Sequence, residues 1–277
     1  MPKITAGPDR LILTMLAVPG VMVVVAFFLL PLARVALAVA DGPDGLATYF
    51  IILTNPRYLG SLIQTLAMSA GVTVVALVLC CVSGLFLVRN RFAGRSIVKA
   101  LLTLPLSFPG VVVGFMVIML AGRQGVLAEI SNALTGERWV FAYNIAGLFV
   151  GYLYFSIPRV ILAVMASAEK LDIALEEAAR SLGAPGWRVV RDVILPGLMP
   201  GLISSGAICF ATAMGAFGTA FTLATEINVL PMVIYTEFTL NANTAVAASL
   251  SIALGLMTWA CLAAVRTIAG PSAGIST

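Results

Sequence analysis

Apolar residues in this chain come in long runs. Six stretches, at about residues 11–40, 59–88, 100–121, 145–168, 198–224 and 245–268, are almost continuously hydrophobic. Each matches or exceeds the ~20 residues with which a helix crosses a bilayer core of roughly 30 Å. Lipid offers the backbone no hydrogen-bond partners, so an apolar run of that length crosses as a helix. The pattern predicts an all-α polytopic membrane protein, a single transmembrane domain of six helices over residues 1–277. The first run is too long for the 7–15-residue apolar core of a cleavable signal and reads as a retained span.

Some runs carry interruptions. Pro19-Gly20 and Pro31 should bend the first span or set its ends. The third contains Pro105, Pro109, Gly110 and Gly114; two lost backbone donors leave carbonyls that must face protein or a water-filled cavity. A broken helix lining a path and a helix kinked only for packing both fit. Pro158-Arg159 falls in the fourth span, where the arginine either faces the bundle interior or anchors at a headgroup region. In the fifth, Ala207, Ala211 and Gly215 recur every fourth residue, with Gly218 beyond them, and predict a helix-packing seam. Gly122–Asn144 reads as a mixed-charge loop.

The one long polar interruption is Asp172–Pro200, within a connection at 169–197 between the fourth and fifth spans. Leu175, Ala178, Ala179 and Leu182 recur at helical spacing, and Glu176 stands four residues before Arg180. Gly183 should stop this helix as a left-handed cap. Pro185 suits the start of a second short helix, with Trp187, Val190 and Ile194 on one face and Pro196 closing it. Helices this short are marginal alone, so the hairpin needs a surface to lean on. It is either a docking element or an amphipathic loop on the membrane.

Glu177-Ala178-Ala179, Gly183, Val193 and Leu195-Pro196 carry a resemblance at this point. Their spacing resembles the EAA signature of permease subunits of binding-protein-dependent ABC importers, with Val193 where that family usually has isoleucine. The six spans, Phe217-Gly218-Thr219-Ala220 and the run Leu230–Tyr235 extend the resemblance, in particular to the branch carrying polyamines, ferric iron, sulfate, thiamine or phosphonates. The resemblance implies that Glu177, Ala178, Ala179, Gly183, Trp187, Leu195 and Pro196 couple to a separate ATPase, and that Gly183→Asp would uncouple or detach it. It further implies a non-catalytic permease domain working by alternating access. Two cytoplasmic ATPase subunits would hold the ATP and Mg, and this chain no cofactor of its own. A second permease, a related chain in preference to an identical copy, and a periplasmic or lipid-anchored substrate-binding protein would complete the importer in a bacterial inner membrane.

Charge orients the chain. Placing the first ten residues inside puts Lys3, Arg10, Arg89, Arg91, Arg95, Lys99, Lys170, Arg180, Arg188, Arg191 and Arg266 on the cytoplasmic side. Only Arg57, Arg123 and Arg138 fall clearly outside. Both termini are therefore expected inside, with the Asp172–Pro200 hairpin. The net charge of +4 thus reports topology rather than nucleic-acid binding. Cys80, Cys81, Cys209 and Cys261 lie in apolar runs without metal-ligand spacing, and the chain has no histidine.

The sequence contains no GxxxxGK[ST] loop to hold ATP. A gradient-driven carrier or channel is the alternative, but every acidic residue falls in a loop or at a span end. An intramembrane enzyme would need a motif such as HExxH or GxSxG, and neither is present. Ser107, Arg159, Thr212 and Thr219 are candidate path residues. A polyamine path would favour Glu226 and Glu237; an anion path would favour Arg159 and helix N-termini.

Overall fold

A computed structural model describes residues 8–42, 45–223 and 228–269. Lys3, Glu226 and the C-terminal GPSAGIST lie outside the described residues. Among those described, every regular element is helical. In chain order they are α1 (Pro8–Val24), α2 (Leu30–Ala40), α3 (Ile51–Thr54), α4 (Pro56–Arg89), α5 (Arg95–Thr103), α6 (Gly110–Ala121), α7 (Val126–Thr135), α8 (Ile145–Ala168), α9 (Ile173–Ser181), α10 (Gly186–Val189), α11 (Leu195–Met214), α12 (Gly218–Leu223), α13 (Leu230–Thr239) and α14 (Thr244–Ala269). Six helical stretches among the described residues are long and apolar enough to cross a membrane: Ala17–Ala40, Pro56–Arg89, Gly110–Thr135, Ile145–Ala168, Gly186–Met214 and Thr244–Thr267.

The prolines account for where these stretches depart from simple rods. α1 and α2 are joined by a π-helical turn, Val25–Leu29, in which Leu30 N–H reaches back to the Val25 carbonyl. Pro31 follows immediately. The same device recurs at Val190–Ile194, where Leu195 N–H donates to the Val190 carbonyl just before Pro196. A proline ring clashes with the carbonyl four residues earlier; a wide turn directly upstream slips the ladder by one residue and accommodates it. Pro196 therefore does not close the second helix of the hairpin, as the sequence suggested. That helix runs on into the fifth span.

The third run breaks where its prolines lie. A 3-10 turn, Leu104–Ser107, follows α5, and Phe108 is extended before Pro109 caps α6. Membrane-length apolar structure begins only at Gly110 and continues with α7, inside the segment read as a loop. The Ala121 carbonyl accepts from both Phe141 and Ala142 N–H, at 3.1 Å each. The fifth run is likewise interrupted, between Met214 and Gly218.

Close contacts divide the chain into two compact units, one of Met1–Tyr58 with Ile234–Ala253 and one of Leu59–Val233 with Leu254–Thr277. In the first, Glu237 is buried at 4% exposure. It accepts hydrogen bonds from Tyr58 Oη and Asn241 Nδ2, both at 3.0 Å, with Arg57 3.8 Å away. A carboxylate enclosed this way ties the start of α4 to the end of α13, so Glu237 serves as a structural group. The second unit is centred on Val72, Val117, Leu148, Tyr152, Ala213 and Leu223. Within it α6 and α12 cross at glycines: a Cβ on Gly114 would lie 2.6 Å from Thr222 Cβ, and one on Gly218 would lie 3.1 Å from Val111 N. Gly110-xxx-Gly114 has the spacing of a close helix contact, a signal present in the sequence that the small-residue seam of the fifth span overshadowed. The cysteines are all free, as expected of small apolar fillers.

Candidate functional site

The hairpin between the fourth and fifth spans is built as its residues dictate. The Asp172 carboxylate accepts from Ala174 N–H at 2.9 Å and caps α9. At the other end Ala184 N–H reaches the Ala179 carbonyl at 3.1 Å and Gly183 N–H the Arg180 carbonyl at 2.9 Å. This closing turn places Gly183 at φ +82°, where a side chain is disfavoured. Ala179 and Ala184 pack on a buried cluster of Ala168, Val189, Ile194 and Leu198. One edge of the hairpin is thereby fixed to its own chain.

The opposite edge is bare. Glu177, Ala178 and Gly183 are exposed there, as are Leu175, Leu182 at 89% and Trp187 at 58%; Leu195 and Pro196 are exposed at the foot of the hairpin, where α11 begins and Leu195 borders a groove against α4. The guanidinium groups of Arg188 and Arg191 stand 5.6 and 6.0 Å from the Trp187 ring. Trp187 and Val190 are thus outward while Ile194 is buried, so the three do not share one face. Apolar side chains rimmed by charge on a short helix pair have the composition of a protein-binding patch. The carboxylate that the sequence pattern singles out, Glu177, is on this exposed edge. Its neighbour Glu176 turns inward, 9% exposed, and pairs with Arg89 at the end of α4.

A cavity of about 420 Å³ lies in the same unit. Its lining brings together Arg159, Thr212 and Thr219 with Pro105, Phe108, Gly110, Phe155, Ala211, Gly215 and Gly218. Ser107 is exposed on the adjoining 3-10 turn and is not among the lining residues. Thr219, 1% exposed, donates to the Gly110 carbonyl at 3.0 Å, and Thr222 donates to the Val111 carbonyl at 3.3 Å. Hydroxyls from α12 thereby add a second bond to carbonyls at the start of α6 and tie the two helices together. The Thr212 hydroxyl bonds back to its own helix, at the Ile208 and Cys209 carbonyls. Arg159 is exposed; it donates to the Phe155 carbonyl at 3.0 Å and stands 5.4 Å over the Phe155 ring. No carboxylate among the described residues lies within ion-pair distance of it.

The predicted small-residue seam divides. Gly218 makes a close backbone approach to α6. Ala211 and Gly215 border the cavity, Ala207 borders an apolar groove with Leu77 and Phe210, and a Cβ on Gly215 would meet nothing closer than 3.9 Å. The tight contacts of α11 lie elsewhere, at Gly201, where a Cβ would stand 2.8 Å from Ser167 Cβ on α8, and at Gly206, where one would stand 3.0 Å from the Leu77 side chain.

Membrane-length helices, an exposed hairpin between the fourth and fifth, and an open cavity lined in part by polar groups are the features of a membrane transport subunit. The chain belongs to the family described as "Binding-protein-dependent transport system inner membrane component", which it matches over residues 76–270. It is 32% identical over 194 residues to the molybdenum transport system permease protein ModB of Escherichia coli (strain K12), covering 67% of this chain and 82% of that one. It is 28% identical over 258 residues to PhnU of Salmonella typhimurium (strain LT2), a permease protein named for 2-aminoethylphosphonate transport, covering 89% of this chain and 90% of the other. The fold matches that of a bacterial alginate ABC transporter solved in complex with alginate pentasaccharide-bound periplasmic protein, with TM-score 0.80 at 15% identity over 97% of both chains. The chain is a permease subunit of a binding-protein-dependent ABC importer, a multi-pass inner-membrane protein.

Proposed function

We propose that this permease passes a small oxyanion-bearing solute, of the molybdate, sulfate or phosphonate kind, from a periplasmic or lipid-anchored binding protein to the cytoplasm. The observation that carries the reading is Arg159: it is the charged side chain on the lining of the cavity, and no carboxylate among the described residues neutralises it. A guanidinium presents a planar fork of donors that suits tetrahedral oxyanions. The names of the ModB and PhnU relatives support the same substrate class. Glu237, which would have favoured a cation path, is committed to Tyr58 and Asn241.

ATP hydrolysis then belongs to two separate cytoplasmic ATPase subunits with their Mg, docked on the exposed edge of the hairpin through Glu177, Ala178, Gly183, Trp187, Leu195 and Pro196. Ala179 anchors that edge from behind. A second permease, related rather than identical, completes the pathway. The excess of Lys and Arg in alternate connections supports cytoplasmic termini.

Uptake of labelled molybdate, sulfate and 2-aminoethylphosphonate into proteoliposomes holding the purified complex tests the substrate class. Arg159→Ala should lower uptake by about tenfold or more, the equivalent of one lost charge-assisted contact. Arg159→Lys should retain a measurable part of it, and Arg159→Glu should abolish it with the ATPase still bound. Wild-type anion uptake by Arg159→Glu would overturn the reading.

A further inference from the structure

We propose that the Arg89–Glu176 ion pair is the strap that makes the second span follow the coupling hairpin. This rests on the importer reading for what the hairpin does, but on geometry alone for what it is tied to. Arg89 is the last residue of α4, and Glu176 sits in the first turn of α9, 87 residues later. The Arg89 Nη2 donates to the Glu176 Oε1, and the two side chains are only 21% and 11% exposed. The Arg89 Nε is buried without a hydrogen-bond partner, so Glu176 is the group that neutralises this guanidinium.

The remaining fastenings of the hairpin are generic. Ala179 and Ala184 are small, and they meet Leu85 and Val88 of α4 only as part of an apolar cluster that also takes in Leu198 and Leu202 of α11. Such a surface lets helices slide. A mostly buried ion pair does not, because separating it strands a charge away from water. α10 needs no strap, since it runs through the π turn directly into α11. α4 has no covalent route to α9 that short. A push on the bare edge of the hairpin therefore reaches α11 through the backbone, and α4 through this pair together with the apolar cluster, of which the pair is the directional part.

The position is also specific. Glu177, one residue on, is exposed on the bare edge. Arg89 and Glu176 thus act as positioning residues, working through the hairpin rather than on the solute.

Two readouts separate the strap from a general structural role. Hydrogen exchange of the 174–181 amides is followed in the detergent-purified chain, and ATP-driven uptake together with ATPase stimulation by loaded binding protein is followed in the reconstituted complex. Arg89→Gln and Glu176→Gln should each speed exchange in α9 by about tenfold, as expected when a partly buried pair is broken, whereas Glu177→Gln should leave that exchange unchanged. In the complex, Arg89→Glu and Glu176→Arg should each retain bound ATPase but lose stimulation and uptake. The double exchange, Arg89→Glu with Glu176→Arg, should recover at least a third of both.

Unchanged α9 exchange in both Gln variants would overturn the strap. So would single reversals that transport normally, or a double exchange that assembles with ATPase yet recovers nothing. Failure of the importer reading would look different: the unmutated chain itself would hold no ATPase and import nothing, while the exchange result would still decide whether the pair holds α9.

Discussion

Gly114→Val is expected to remove most folded protein from the membrane. The first atom of any side chain there would lie 2.6 Å from Thr222 Cβ and 3.0–3.1 Å from Thr222 Oγ1 and Cγ2. The obstacle is a β-branched side chain on the facing helix, with few ways to move aside. Thr222 is further tied by its hydroxyl to the Gly218 carbonyl at 2.9 Å. Overpacking of this kind costs about 1–3 kcal/mol for a single extra group, and valine adds three. The contact sits beside a hydroxyl tie between the two helices, so separating them also withdraws Thr219 from the Gly110 carbonyl. Gly114→Ala should give a folded chain whose melting temperature in detergent falls by several degrees, and Thr222→Ala in the same chain should return part of that loss. If Gly114→Ala melts as the parent does, or the second change adds to the damage, the crossing is not as close as described.

Gly183→Val should leave the chain in the membrane at normal abundance while ATP-driven uptake falls by about tenfold or more. The site has room: nothing lies within 4 Å of a Cβ there. What resists substitution is the backbone, at φ +82°, where an L-residue pays about 1–2 kcal/mol and a β-branched one more. Relieving that strain would open the turn held by Ala184 N–H on the Ala179 carbonyl, and would swing α9 against α10. Asparagine tolerates this conformation, so Gly183→Asn should retain most uptake. Gly183→Asp shares much of that tolerance but adds a charge. A series in which Asn transports and Val does not places the requirement in the elbow; one in which Asn, Asp and Val all fail equally places it in crowding against the partner. Co-purification of the ATPase with each variant, scored beside uptake, distinguishes loss of docking from loss of transmission.

The hairpin shows how far a local pattern carries and where it stops. Gly183 as a left-handed elbow and Pro185 at the start of a second helix are each consequences of one residue's own geometry, so they are legible directly; the Asp172 cap is as local but was not read from the pattern. Which of two adjacent carboxylates turns inward is another matter. Glu176 and Glu177 differ by about 100° around α9, from its 3.6 residues per turn, and only the docking of Ala179 and Ala184 on Leu198 and its neighbours fixes that rotation. Pro196 departs from expectation for a related reason: the rule that proline ends a helix assumes a regular ladder upstream, and a π turn removes the clash.

The sequence by itself determined the class of this protein. Runs of apolar residues long enough to cross lipid can satisfy their backbone only as helices, and the uneven placement of Lys and Arg, the spacing around Glu177 and Gly183, and the small residues of the fifth span are all written in order along the chain. Tertiary structure alone decided which residues meet. Arg159, Thr212 and Thr219 share a cavity while Ser107 lies outside its lining, Glu237 is buried under Tyr58, α6 presses on α12 at Gly114, and Arg89 finds Glu176 across 87 residues. The physical reason is that hydropathy reports only whether a side chain leaves water. Inside a membrane bundle nearly every side chain has left it, and the choice of neighbour is made by shape and by the few polar groups that must find a partner there.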